Sequence, residues 1–313
     1  MLNRAVLFFS LGLVGVLGLQ AQVDISLQFK KEFYLAHESL LAEVVIINFS
    51  GKTLTFGQDK HWLQFIVEPR NGSFIERNGD LDTMEVFQIP NASKGIRRVH
   101  LVPTYKIEMP GSYKITAFVN FPELGMQKAT PPVEIVVLSS TVVWKREIGL
   151  VRDEQDPAGG IDVRRYSLMR AVNRNKIDLY VKVTDKFEDE VFGIYSLGNI
   201  VSFGEPEKQV GRHSNLHVLM QNGARSFRYS IVKPDGKILL RQRWDYSNTR
   251  PRLGMDSDGL MEVKGGVRKP SFDDIPSPSQ INKVREPRNK STLSTGNEQE
   301  STLRQVDVAD EDQ

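Results

Sequence analysis

The sequence predicts an all-β chain in two folded parts, and three observations carry that expectation. Short runs alternate apolar and polar residues with the two-residue period of a half-buried strand, as in Val23-Asp24-Ile25-Ser26-Leu27-Gln28-Phe29-Lys30. Leu40–Phe49 is apolar on both faces, as a covered central strand requires. Gly, Pro, Asn and Asp interrupt the pattern every 8 to 15 residues or so, a spacing typical of sandwiches.

Taken in order, Asn48-Phe49-Ser50-Gly51-Lys52 supplies a turn, and Thr53-Leu54-Thr55-Phe56 resumes the alternation. Further strands are expected at Trp62–Val67, Phe74–Glu76, Val99–Val102, Tyr113–Phe121 and Val133–Leu138. The stretch Pro110-Gly111-Ser112-Tyr113-Lys114-Ile115 looks like a tyrosine corner. On these residues, Val23–Leu138 resembles bacterial immunoglobulin-like domains. The resemblance implies that the Tyr113 hydroxyl ties the corner to nearby backbone. It also implies that Ile115 stands where the family places a cysteine, and that Trp62 is the core tryptophan, facing Ile115 and a residue such as Val45. A fold of this kind says nothing about function.

After Leu138 the texture changes. Val142–Val151 is expected as strand and Asp153–Gly160 as an acidic loop, whereas Tyr166, Leu168 and Val172 suit either a strand or a short helix. Strands follow at Leu179–Val183, Val191–Leu197, Leu216–Met220, Phe227–Val232 and Ile238–Arg243. Two stretches resemble copies, one from Glu205-Pro206 to Asn222-Gly223 and one from Arg250-Pro251 to Gly265-Gly266. Their Leu216 and Leu260 are 44 residues apart. Around Phe227–Arg241 the strand-turn-strand texture is similar to blades of secreted propellers. A propeller needs at least four blades, so blade-like hairpins in a compact antiparallel unit are expected.

The ends carry different signals. Arg4 precedes an apolar run from Ala5 to Leu19, too short for a comfortable span, and Ala21 offers a small residue for cleavage. The expected organisation is a signal peptide over 1–21, an immunoglobulin-like sandwich over 22–139, a second all-β domain over 140–266 and a disordered tail over 267–313. Pro270, Pro276, Pro278 and Pro287 among many Ser, Thr, Asn and Gln leave the tail few apolar residues to offset its ordering entropy.

Composition bounds the class. At 40% hydrophobic residues the chain can bury ordinary cores. Lys and Arg total 41 against 39 acids, a balance that argues against a dedicated nucleic-acid binder. The sequence holds no cysteine, so neither disulfides nor a lipidated N-terminal cysteine can form. A cysteine-free exported chain fits a bacterial periplasm or exterior, with no membrane span after cleavage. Asn-x-Ser sequons occur at Asn48, Asn71, Asn91 and Asn289.

No catalytic motif stands out: there is no Gly-x-Ser-x-Gly elbow, phosphate loop or His-Glu-x-x-His. His213 and His217 have His-x3-His spacing, but four residues along a strand cover about 13 Å, too far for one metal ion. His217 alternates with Leu216 and Val218, which predicts a solvent-facing side chain. Asp256-Ser257-Asp258-Gly259, with Glu262 beyond, offers oxygen ligands but lacks an EF-hand frame and reads as a tight turn. Glu188, Asp189 and Glu190, like Asp153, Glu154 and Asp156, are loop neighbours rather than a pair across a cleft.

A ligand site is expected, if anywhere, at Trp244, Tyr246, Arg243 and His217, where a sugar ring or peptide could stack beside arginine. Neither cofactor nor metal is expected. The leading expectation is a non-catalytic protein that binds an envelope protein or polysaccharide. A glycan-acting hydrolase with loop carboxylates is the alternative, and a subunit assembling through sandwich edge strands is a third.

Overall fold

The computed structural model describes residues 22–73, 75–151 and 161–276. The expected signal peptide, Phe74, the Asp153–Gly160 loop with its acids, and the tail from residue 277 lie outside the described residues. Within them the fold is all-β, built of antiparallel sheets that stay open, with a lone 3-10 turn at Pro122–Leu124.

The first unit stacks two sheets. One has the order β1-β3-β7, with β1 spanning Gln22–Phe29, β3 Leu41–Phe49 and β7 Ser93–His100. The other runs β2-β10-β8-β5, comprising Phe33–Leu35, Val133–Leu138, Gly111–Phe121 and Leu63–Pro69. Strand β9 (Met126–Ala129) also joins β8, and β4 (Leu54–Phe56) pairs with β6 (Phe87–Ile89). Strand β2 is parallel to β10, whereas the other pairings in this unit are antiparallel.

Alternation decides what enters the core. Val23, Ile25 and Leu27 of β1 meet Ala42, Val44 and Ile46 of β3 and Tyr113, Ile115, Ala117 and Val119 of β8. Val45 is buried too, but it alternates with Val44 and Ile46 and lies on the other face of β3, outside this core. Trp62 precedes β5 and packs with Phe56 and Phe87, at ring separations of 5.0 and 5.6 Å. Its indole donates to the Thr83 carbonyl at 2.9 Å. Trp62 and Ile115 therefore share the core, while the expected contact with Val45 is replaced by an aromatic cluster. The Tyr113 hydroxyl donates to the Met109 carbonyl at 2.5 Å, the local tie that the corner motif implies.

Several strand bounds move. The strand expected at Val99–Val102 is β7, which ends at His100; Leu101 is still buried and donates to the Leu40 carbonyl at 2.9 Å, and a turn follows at Val102–Thr104. Ile75 and Glu76 lie in no strand.

The second unit begins one residue after β10. Strands β11 (Ser140–Val151), β12 (Ile161–Asn173), β13 (Lys176–Asp185) and β14 (Val191–Ile200) form an antiparallel meander. Tyr166, Leu168 and Val172 thus belong to a strand, with Tyr166 and Leu168 inward and Ser167 facing the opposite side. A second sheet has the order β15-β16-β17-β18-β21, covering Glu207–Val210, Leu216–Gln221, Ser226–Val232, Ile238–Asp245 and Val267–Lys269. The two sheets enclose Tyr166, Leu179, Val181 and Leu197 against Leu216, Val218, Met220 and Val232. Burying side chains of this size contributes roughly 1.5–3 kcal/mol each.

The outer face of the second sheet is covered by the hairpin of β19 (Arg252–Met255) and β20 (Met261–Lys264), through Leu253 and Val263 against Leu219, Phe227 and Tyr229. Both sequence copies are hairpins, β15–β16 and β19–β20, but their roles differ. Leu216 is fully buried at the centre of a sheet, whereas Leu260 is 41% exposed at a turn. The shared signal is turn chemistry, not burial. Asp256 Oδ1 accepts from the Asp258 and Leu260 amides at 2.9 and 2.8 Å, and Gly259 adopts φ +74°, so this segment is a turn.

The second unit extends past the expected boundary at Gly266. Strand β21 pairs with β18, Ile275 bridges Arg241, and the buried Asp274 binds Arg268 at 2.8 Å. The two units meet through Leu35 and Leu138 against Met169, Ala171, Tyr180 and Ile194.

Candidate binding groove

The four residues expected to form a site do not all converge: Trp244 and His217 lie beneath one hairpin, whereas Arg243 and Tyr246 do not join them. Trp244 alternates toward the β19–β20 hairpin and packs on the cluster of Leu219, Phe227 and Tyr229; its indole nitrogen is buried without a partner. Arg243 is its neighbour in an extended strand, so it points to the opposite face, and pairs with Asp245 at 3.1 Å. Tyr246 lies just beyond β18, exposed, with the Arg225 guanidinium 5.2 Å from its ring centre.

His217 departs furthest from expectation. It is 8% exposed, bonded through Nδ1 to the Tyr229 hydroxyl at 2.7 Å, and burial pushes its pKa down. Alternation placed it correctly on the face away from Leu216 and Val218. What it could not show is that a hairpin some 40 residues later in the chain covers that face. Gly211 lies against the ring.

Of the other candidate acids, Glu188 is committed to ion pairs. It receives Lys145 and Arg165, both at 2.8 Å, and Lys182 at 3.4 Å. These cations, led by Lys145, hold its pKa down near 2 despite partial desolvation. A carboxylate tuned that way is a poor general acid at neutral pH. Among the described residues no three His, Asp or Glu side chains converge as metal ligands.

Polar and aromatic groups do converge in a groove of about 630 Å³ between the β14–β15 loop and the β18–β19 loop. Phe203 stands fully exposed on the first loop. That loop is pinned by its own turn, Gly204 N to Val201 O at 2.9 Å, and by Arg170, which donates to the Gly204 carbonyl at 3.1 Å. On the far wall Arg250 lies 5.3 Å from the Phe227 ring centre, a cation–π contact that orients its guanidinium. Glu207 fixes β19 by accepting from the Leu253 amide at 2.7 Å and from Arg252 at 3.3 Å. Glu205 and Gln221 complete the polar lining.

A ring open to solvent beside two guanidiniums, two carboxylates and an amide can stack a flat apolar face and hydrogen-bond the groups around it. In the sequence Arg250 stood out only as the start of a repeat-like stretch, and Phe203 did not stand out at all. The available signal was an aromatic inside a segment of turn residues, Ser202-Phe203-Gly204-Glu205-Pro206, where no strand face exists to bury it.

No family model matches the chain, and no curated protein matches its sequence. Among solved structures, the sporulation control protein Spo0M from Bacillus subtilis aligns at 8% identity with a TM-score of 0.27, covering 51% of this chain and 79% of that one. At that level the likeness informs neither fold nor function.

Proposed function

We propose that this chain is an exported, non-catalytic binding protein of a bacterial envelope or exterior, and that it engages a protein or glycan partner through the Phe203 groove. The observation that carries the reading is Phe203 itself. A fully exposed phenyl ring on a loop anchored by Arg170 loses contact with water only when something binds over it. Export is supported by the Arg4-led apolar run ahead of Ala21, and a bacterial setting by the absence of cysteine.

Within this reading the first unit is an immunoglobulin-like module. Support comes from the strand orders β1-β3-β7 and β2-β10-β8-β5, from β2 running parallel to β10, and from the Tyr113 tie to Met109. The blade-like reading of the second unit rests on two successive antiparallel meanders, β11–β14 and β15–β18, stacked face to face.

The test is retention of the exported protein on envelope protein and polysaccharide fractions of its native source. Phe203→Ala and Arg250→Ala are expected to lower retention at least tenfold while leaving the melting temperature within a few degrees. Equal retention of both variants, or turnover of a sugar polymer by the unaltered protein without stable retention, overturns the proposal. Export is tested separately by the N-terminus of the secreted product, expected at residue 22.

A further inference from the structure

We propose that two copies of this chain associate through the outer edge of β11, pairing antiparallel about a two-fold axis at Arg146. Strand β11 is the outermost of its sheet, and its ladder runs only to β12. Among the described residues no backbone hydrogen bond reaches its other side. An edge this long presents a row of unsatisfied amides and carbonyls, a ready template for another strand. Val142 and Val143 on it are 43% and 42% exposed, and Trp144 and Ile148 sit half-buried at the rim of the core.

The side-chain pattern along this edge is self-complementary, as an isologous two-fold contact requires. With Arg146 on the axis, Trp144 meets the partner's Ile148 and Lys145 meets the partner's Glu147. The regular paired stretch is Trp144–Ile148, because a bulge at Val143 interrupts the strand before it, and Gly149 beyond it brings no side chain to the contact. Trp144 and Ile148 share the face of Tyr166 and Leu168, so their pairing extends each sandwich core across the contact. Lys145 and Glu147 lie on the other face, where they already bind Glu188 and Arg165 at 2.8 and 2.6 Å. Their pairing joins the ion networks of the two copies.

No neighbouring register does as well. A shift of one residue sets Trp144 against Glu147 and core face against charged face. Shifts that keep the faces aligned set Lys145 against itself or Glu147 against itself. The chosen register carries one cost, Arg146 directly opposite the partner's Arg146, and like charges across a pair are unfavourable. That cost makes the register diagnosable.

The test uses the whole exported protein. The chain has no cysteine, so Arg146→Cys places a lone thiol on the proposed axis. Oxidation by copper–phenanthroline, which takes the two electrons released as two thiols become one disulfide, is expected to yield a covalent dimer. Thr141→Cys, on the same edge but far from its own counterpart, is expected to remain monomeric under oxidation. In sedimentation velocity Lys145→Glu should weaken the dimer at least tenfold, Lys145→Glu with Glu147→Lys should restore it, and Arg146→Thr should tighten it severalfold. Circular dichroism confirms that each variant is folded, and the Arg146 variants alone decide the matter if a charge swap unfolds. A protein that sediments as a monomer at all concentrations, crosslinking by Thr141→Cys as fast as by Arg146→Cys, or a swapped pair that stays dissociated overturns the proposal.

Discussion

The imidazole Nδ1 of His217 lies 2.7 Å from the Tyr229 hydroxyl oxygen, with the two rings stacked 6.0 Å apart between centres beneath the β19–β20 hairpin. Both groups are kept in their uncharged forms by burial, which lowers the histidine pKa and pushes the tyrosine up to about 12. The pair thus acts as a neutral polar rivet between a sheet and the hairpin that covers it.

A pH dependence of stability follows. The unfolded chain takes up a proton on His217 near the ordinary value of about 6.5, whereas the folded form resists until lower pH. Between those values the unfolded state binds more protons, so stability falls as the pH drops below about 6.5. Thermal melts at pH 7.5 and 5.0 should show a larger loss for the unaltered protein than for His217→Gln. Parallel losses in the two proteins would show that His217 is not the titrating group.

Glu188 gives the opposite case, a carboxylate whose folded pKa of about 2 lies below its ordinary 4.5. Its contribution is complete above about pH 4.5 and disappears as the pH falls through 2. Partial exposure screens the surrounding pairs, so Glu188→Gln should cost about 1 kcal/mol at pH 7. Urea unfolding should show the difference shrinking toward zero at pH 2.

Asn48 is fully buried, with its Nδ2 donating to the Lys52 and Ile89 carbonyls at 2.7 and 2.9 Å and its Oδ1 accepting from the Ser50 amide at 2.9 Å. Asn48→Ala leaves these groups unpaired and should cost about 2 kcal/mol. Asn48→Asp should cost more, because it turns an acceptor toward two carbonyl oxygens. The same burial means that the Asn48 sequon cannot carry a glycan in the folded protein. A urea midpoint for the aspartate variant equal to that of the parent would refute this account.

Tyr113→Phe removes only the hydroxyl that binds Met109 at 2.5 Å. The ring still fills the core, so the expected loss is about 1 kcal/mol with an unchanged denaturant slope. A change in slope would point instead to loosening of the whole corner.

Local sequence determined the all-β class, the turn at Asp256–Gly259 and most strands, because each rests on a short-range rule, whereas the tie at Tyr113 was implied by a family resemblance. The period of two sorts inward from outward residues within a strand, and turn residues mark where strands stop. Those rules located His217 on its face but did not place Val45, expected against Trp62 and found on the other face of β3, and they carry no information about what covers a face. That was decided by contacts distant in sequence: the β19–β20 hairpin sealing His217 and Trp244, and the aromatic cluster taking Trp62. The pattern read as tail supplied one more strand, β21, because backbone pairing to β18 orders Val267–Lys269 with little apolar content of its own. Phe203 shows the converse. Its loop was legible as a loop, but only tertiary structure set the ring opposite Arg250 and made the two walls of a groove.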